Sequence, residues 1–515
     1  MEMVKNALGR MVPTEVNGKK VMPYMGTFVD VAAGKRKAAP PIPRCFPGRV
    51  NKVLGLDEIL DRLPLKNGMC ISFHHHLRNG DYIVNMIVEK LARRGFRDIV
   101  LAPSALFPTH DKLIPYIESG VISHVEGSMN GEVGRACSTG KMKNIATLRS
   151  HGGRVRAIQD GDLHVDVAFI AAPAADCFGN ANGVLGKSAC GPLSYSHIDS
   201  FYAEHSVIIT DNLVPYPCLP WSIQGGYINY VAVIDSIGDP SKIVSGTTRL
   251  TKSPTQILIA DYAARLVEEI GYIREGMSFQ AGAGGISLAF NVCLAERMKK
   301  KGVKASFAHG GSNKVLVDML ESGQLGCICD AQSFDLDGVR SLRDNPRHVE
   351  SPLFVSYNYH AKGCLSHMLD IGVLGATEID LDFNVNVNTH SDGLLLHGTG
   401  GFPDVAAGCD VTIITAPSFR KRIPIIRESV TTVTCPGELV DVVVTERGIC
   451  VNPRRHDLIE KLKHSTLPIK PIQRLMEETY EITGVPEKIK FEDRVVAVME
   501  WRDGTIIDSV RKVRS

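Results

Sequence analysis

Between residues 69 and 95 the chain reads MCISFHHHLRNGDYIVNMIVEKLARRG, and the spacing of its apolar positions changes partway along. Met69, Ile71 and Phe73 alternate with smaller or polar residues, the period of two expected of a strand. Beyond three histidines and a turn, Ile83, Val84, Ile87, Val88 and Leu91 share one helical face. Asp81 is placed to cap that helix, and Gly95 to close it in the left-handed conformation.

The same succession recurs at residues 277–302, MSFQAGAGGISLAFNVCLAERMKKKG, with Ser287 and Gly302 in the two capping roles. YIESG at 116–120 and MLESG at 319–323 continue the parallel, as do the apolar runs DVAFIAAP at 166–173 and DVTIITAP at 410–417. Strands alternating with helical segments predict an α/β fold: two tandem related domains with mostly parallel sheets. Proline and basic residues crowd GKRKAAPPIPRCFPG at 34–48, and a second break falls in 236–254. The expected organisation is an extended lead-in over 1–50, a first domain over 51–240 and a second over 250–515.

A chain of 515 residues with 44% hydrophobic and 22% charged residues fits a folded multidomain protein. The net charge of +2, spread along the chain, makes no case for nucleic acid or an anionic membrane surface. The amino terminus lacks an apolar stretch of signal-peptide length, and no segment approaches the roughly 20 apolar residues of a membrane span. A cytoplasmic protein acting on a small substrate is expected. The 13 cysteines lack metal-site spacing, and even the CxC pair Cys327 and Cys329 reads as reduced thiol.

In open α/β sheets, ligands collect outside the carboxyl ends of the strands, beside helix amino termini. QAGAGGIS at 280–287 is such a place: Gly282, Gly284 and Gly285 allow a tight turn whose backbone N–H groups suit a phosphate, a carboxylate or a developing oxyanion. It matches neither the Walker A pattern nor GxGxxG, so ATP and NAD are not indicated. LLLHGTGGFPD at 394–404 repeats the theme with Gly398, Gly400 and Gly401. Before it, Glu378, Asp380, Asp382, Asn384 and Asn386 alternate with apolar residues and read as a solvated strand face.

Three readings stand for His74, His75 and His76. On a strand, His74 and His76 share one face; they would be a metal pair, satisfied core histidines, or anion binders with Arg78. No further ligands with familiar spacing follow, so no metal is assigned. Arg135 lies in the glycine-punctuated loop 125–143, a second anion-binding candidate, and His309 stands where a strand ends and a helix begins.

FQAGAGGIS, VDMLESG, ATEIDLDF, GTGGFPD and TCPGELVDVVVTERGICVNP, in that order, resemble the CoA-transferase and acetyl-CoA hydrolase superfamily (NagB/RpiA-like). HVDVAFIAAPAADCFGNANG looks like the companion domain, and the whole chain is most similar to the family of bacterial citrate lyase alpha subunits. Citramalate transferases, other acyl-CoA:carboxylate transferases and acetyl-CoA hydrolases are the alternatives. One departure is informative. Many superfamily members carry a nucleophilic glutamate shortly before VDLIESG; aligning that ending with VDMLESG puts Gly310 there, and no carboxylate lies between Lys304 and Asp318.

The resemblance implies citrate as substrate, acetate as product, and direct exchange of acetyl for citryl on a thioester without an enzyme glutamyl thioester. It further implies that no cofactor is bound covalently, the thioester being carried by a phosphoribosyl-dephospho-CoA group on a small acyl-carrier (gamma) subunit. A beta subunit would cleave the citryl thioester, and a homo-oligomer is expected. On this view Gly284, Gly285 and His309 are catalytic, and His74, His76, Arg78 and Arg135 bind the acid. Gly282, Gly398, Gly400 and Gly401 contact the pantetheine arm.

Overall fold

The computed structural model describes residues 2–7, 9–16, 19–21, 23, 25, 52–244 and 250–514. Most of the expected lead-in, 26–50, lies outside the described residues. Ahead of it, Met3–Lys5 pairs with Met11–Pro13, and Glu15–Val16 with Lys19–Lys20.

Two sheets carry the fold. The first runs Val53–Leu54, Tyr230–Val233, His205–Thr210, Val167–Ala172, Cys70–Phe73, Ile99–Pro103, Ile122–Val125, every neighbour parallel. The second runs His348–Glu350, Leu325–Ser333, Ala305–Ser312, Met277–Ala281, Ile371–Gly375, Val411–Thr415, Val442–Thr445, Gly448–Val451, parallel except for its last pair. In both, apart from the edge strand Val53–Leu54 that opens the first, the chain starts at a central strand, winds to one side, then returns to build the other. The reversal lies beside Cys70–Phe73 in one sheet and Met277–Ala281 in the other, where crevices open at the strand ends.

The repeat seen in the sequence is thus a repeat of topology. Cys70–Phe73 is buried throughout, as is Val167–Ala172, because helices cover both faces of the first sheet. Asp81 accepts from the Ile83 nitrogen at 2.6 Å at the start of helix Ile83–Arg93, and Gly302 closes helix Gly285–Lys301 at φ 67°. Ser287 lies within the first turn of that helix and is not its cap; the N-cap is Gly284.

Two of the three acids of 378–386 are not solvated; Asp382 is exposed, as expected. Glu378 and Asn386 are wholly buried and Asp380 nearly so. Asp380 Oδ1 accepts from the backbone of Asp382 and Asn384, and Asn384 Oδ1 accepts from Gly437 N. Asp176, Asn180 and Gly225 form the same construction in the first half. Each is a polar turn folded back onto a sheet, and burial forces every oxygen to find a donor.

The last strands return to the first half. Phe491–Glu500 pairs with Ile506–Val513 and, in parallel, with Ala146–Arg149. Glu500 accepts from Arg149 Nε at 2.9 Å and Arg156 Nη2 at 2.7 Å. These contacts fix the carboxyl-terminal hairpin on the first half. The twelve described cysteines are all free, and no helix among the described residues is long and apolar enough to cross a membrane.

Candidate active site

A cavity of approximately 570 Å³ opens at the carboxyl ends of the second sheet's central strands, closed from the other side by His151 and Tyr195 of the first half. Gly282, Gly284 and Gly285 line it, as do Gly310, Gly311, Gly400 and Gly401. Strand Met277–Ala281 ends in a turn because glycines replace its apolar alternation, and helix Gly285–Lys301 starts beyond it with Gly284 at φ −75°, ψ 160°. The first-turn N–H groups of Gly285, Ile286 and Ser287 have no carbonyl partner within their helix, and all three residues face the cavity. Together with the helix dipole they favour negative charge there.

Gly310 has φ 106°, and a Cβ on it would lie 2.8 Å from Gln280 Nε2; one on Gly311 would lie 1.9 Å from the Phe334 ring. A longer side chain does not fit at either position. Among the described lining residues there is no aspartate, glutamate or cysteine. His309 stands behind this wall, with Nδ1 donating to Gln280 Oε1 at 2.7 Å and its ring 5.1 Å from that of Tyr357. Gln280 Nε2 in turn donates to the Tyr357 hydroxyl at 3.0 Å. Burial drives His309 down to about 3, so its imidazole is neutral at pH 7.

On the first-half side the strand ends at Phe73, and a 3-10 turn over His75–Gly80 follows. His74 and His76 keep the pairing expected of them, but away from the cavity. His74 and His76 point into the interior, their rings parallel and 6.3 Å apart. Asp199 Oδ2 lies 2.9 Å from His74 Nε2, and its Oδ1 accepts from Ser72 and from Arg154 Nη2, each at 2.7 Å. His76 Nε2 donates to the Ala171 carbonyl at 2.7 Å. These are core histidines, each hydrogen-bonded through Nε2, and neither lines the cavity.

His75, the middle residue, meets the cavity wall from behind without lining the cavity itself. Its ring centre is 4.2 Å from that of Tyr195, whose hydroxyl lies 3.3 Å from His151 Nε2. Burial lowers His75 well below its usual range and His151 to about 4. At His151 a neutral imidazole, not an imidazolium ion, therefore faces this space. His151 follows Ser150, the N-cap of helix His151–Asp160, whose hydroxyl accepts from Gly153 N. The strand-to-helix step at SHGG was the signal in the sequence. Gln280, Gln332 and Tyr357 carried no comparable mark.

Arg135 is exposed on helix Gly131–Ser138, away from the cavity. Gly398 packs against Ser128, with no room for a Cβ, and its N–H donates to the Ser128 hydroxyl at 2.8 Å. Only the later part of GTGGFPD, from Thr399 to Phe402, lines the cavity. Arg78 sits at φ 53°, ψ −132°, a backbone state that non-glycine residues rarely hold. Its residue surface is only 9% exposed, and its Cζ lies 5.0 Å from the centre of the Phe334 ring, itself a cavity wall.

A carboxylate-free pocket with helix N–H groups at one end and neutral polar side chains around it suits an anionic substrate and an oxyanion. The family model described as citrate lyase, alpha subunit, matches residues 50–513. The chain is 47% identical over 465 residues to the citrate lyase alpha chain of Klebsiella pneumoniae, covering 89% of this chain and 91% of that one. It is 41% identical over 460 residues to the corresponding chain of Escherichia coli strain K12, covering 89% and 90%. Among solved structures, the putative alpha subunit of citrate lyase from Streptococcus mutans, in complex with citrate, superposes with a TM-score of 0.91 at 44% identity, over 93% of this chain and 95% of that one. The alpha subunit of a malonate decarboxylase from Acinetobacter baumannii shares the fold at a TM-score of 0.63 and 13% identity, over 85% and 91%. With the family model matched over both sheets and the crevice between them, the chain belongs to the family of citrate lyase alpha subunits.

Proposed function

We propose that the chain exchanges acetyl for citryl on a carrier thioester by direct attack of citrate, with no acyl-enzyme. The observation that carries this reading is the wall at Gly310 and Gly311. Where related transferases place a nucleophilic glutamate, the backbone is left-handed at Gly310, a Cβ at Gly310 or Gly311 collides with Gln280 or Phe334, and no carboxylate among the described residues lines the cavity.

A citrate carboxylate oxygen attacks the acetyl thioester carbonyl, the C–S bond breaks, and an acetyl–citryl anhydride and a thiolate result. The thiolate attacks the citryl carbonyl, acetate leaves, and citryl thioester remains. Every step passes through a tetrahedral oxyanion. The N–H groups opening helix Gly285–Lys301 supply donors for it, each worth about 2.7–4 kcal/mol of transition-state stabilisation. Holding two reactants in one closed pocket supplies the rest of the advantage, since effective molarity replaces a bimolecular encounter.

The thioester arm, on a phosphoribosyl-dephospho-CoA group of a carrier subunit, would enter past Thr399, Gly400 and Gly401, where glycine lets a slender chain lie against backbone. A beta subunit would receive the citryl thioester. The test combines an exchange assay with trapping: incubation with acetyl-CoA as thioester analogue, then borohydride. Acyl exchange with citrate and no modified side chain is expected. A borohydride-reduced glutamate in the inactivated protein would overturn the mechanism.

A further inference from the structure

A hydrogen-bond donor aids a reaction most when it is already held in place before charge develops. His151 is held at three points. Its backbone nitrogen donates to the Gly400 carbonyl at 3.0 Å, Gly401 lies against the Cδ2 edge of its ring, where an added Cβ would stand 3.2 Å away, and Nε2 lies 3.3 Å from the Tyr195 hydroxyl. Nδ1 is left unengaged. It has no hydrogen-bond partner among the described residues, and unlike the wholly buried free nitrogens of His74, His76 and His309 it retains access, on a residue that lines the cavity.

Tyr195 decides which nitrogen carries the proton. The tyrosine is buried and its hydroxyl has no other partner among the described residues, so the O–H donates to His151 Nε2 and the ring proton sits on Nδ1. His75 supports the tyrosine from behind: their ring centres are 4.2 Å apart, and His75 Nδ1 is tied to Ser104 Oγ at 2.7 Å. Burial, and after it the charge of Arg154, hold His151 at about 4. At pH 7 its ring is therefore neutral, with one N–H to offer and no acidic proton to lose.

We propose that His151 is a catalytic residue of the exchange, donating Nδ1–H to the pantetheine sulfur while it carries negative charge, and that Tyr195 is a positioning residue that fixes the donating tautomer. The proposal rests on the direct exchange above. There the C–S bond breaks with its electron pair going to sulfur; the thiolate must stay unprotonated until it attacks the citryl carbonyl, when the anhydride C–O bond breaks and acetate leaves with that pair. No proton moves in either half. An imidazolium of pKa about 6.5 would hand its proton to a thiolate of pKa about 8.5 and stop the second half, whereas a neutral imidazole stabilises the sulfur and leaves it nucleophilic. The placement agrees. His151 closes the cavity from the side away from the helix N–H groups that serve the oxyanion, and it packs on the Gly400–Gly401 stretch past which the arm enters.

The full chain would be compared with His151→Asn, whose amide N–H replaces Nδ1–H, with His151→Gln, whose amide reaches the Nε2 position instead, and with His151→Phe and Tyr195→Phe. Two measurements serve: exchange between acetyl-CoA and citrate, and ultraviolet titration of the thiol of bound CoA. His151→Phe and His151→Gln should lower kcat about 10²-fold with both KM values little changed, and His151→Asn should keep most of the rate. In the parent and in His151→Asn the CoA thiol should titrate about one pH unit lower than in His151→Phe. Tyr195→Phe should slow the parent yet add no loss in the His151→Asn background, where no tautomer has to be chosen; a tyrosine that only holds the wall would cost the same in both. Equal rates in the Asn and Gln variants, or a loss confined to KM, would overturn the role of His151. The thiol titration involves no acyl transfer: a trapped glutamyl acyl-enzyme would sink the exchange mechanism, whereas an unshifted thiol beside exchange without an acyl-enzyme would sink the role of His151 alone.

Discussion

Asp404 Oδ2 accepts a hydrogen bond from the backbone nitrogen of Gly152 at 2.9 Å, tying the GTGGFPD loop of the second half to the first turn of the helix that presents His151. Oδ1 completes the joint with Ser150 Oγ at 3.1 Å and Arg502 Nε at 2.9 Å, and His151 N donates to the Gly400 carbonyl at 3.0 Å. One buried carboxylate thus sets the distance between the two walls of the cavity.

Replacing Asp404 by alanine should cost about 3–5 kcal/mol, because Arg502 is left as an unpaired buried charge and two further donors lose their acceptor. Urea unfolding measures this directly. A loss below about 1 kcal/mol would show that the seam is held by other contacts.

Gly310→Glu reinstates the residue type used by covalent transferases. With φ 106° and Gln280 at 2.8 Å from the new Cβ, the glutamate has no unstrained place. Loss of exchange without borohydride-sensitive acylation is expected. Recovery of activity through a glutamyl thioester would show that the local backbone yields easily.

Gly284→Pro tests the helix opening. Gly284 has φ −75°, which proline accepts, and open space around its Cβ position. The substitution should leave the fold intact, remove one N–H and, if that group serves the oxyanion, lower kcat about 10²–10³-fold with little change in citrate affinity. An unaltered kcat would assign the oxyanion to the first-turn N–H groups alone.

Stability should fall with acid. Burial holds His76 near about 4 and His309 near about 3, below the unfolded value of about 6.5. Below pH 6.5 the unfolded chain therefore binds protons that the native chain refuses. Each histidine contributes stability that is complete above that pH and is lost at about 1.4 kcal/mol per pH unit towards pH 4. Urea midpoints between pH 7.5 and 5 should decline, and His76→Gln or His309→Gln should each flatten the slope. Equal slopes in parent and variants would contradict the burial argument.

The duplicated strand, turn and helix were legible because period, caps and glycine turns are local properties. QAGAGGIS revealed its role for the same reason: a helix start is written in the few residues that precede it. The histidine run was legible in type but not in detail. The backbone changes from strand to 3-10 turn after Phe73; His75 packs on Tyr195 of the cavity wall, and His74 and His76 point inward. Glu378 and Asp380 misled because alternation is the same whether the polar face meets water or meets buried donors, and here Arg427 and Thr431 donate to Glu378 while backbone N–H groups donate to Asp380.

By itself, then, the order of residues settled two α/β repeats, the glycine-lined helix start and the missing glutamate, since each depends on neighbours in the chain. Which side chains share a cavity was decided by packing across long separations: His151 against Gly400, Tyr195 against His75, Gln280 against Tyr357. Such pairings are selected by volume and hydrogen-bond satisfaction in three dimensions, and no local pattern encodes them.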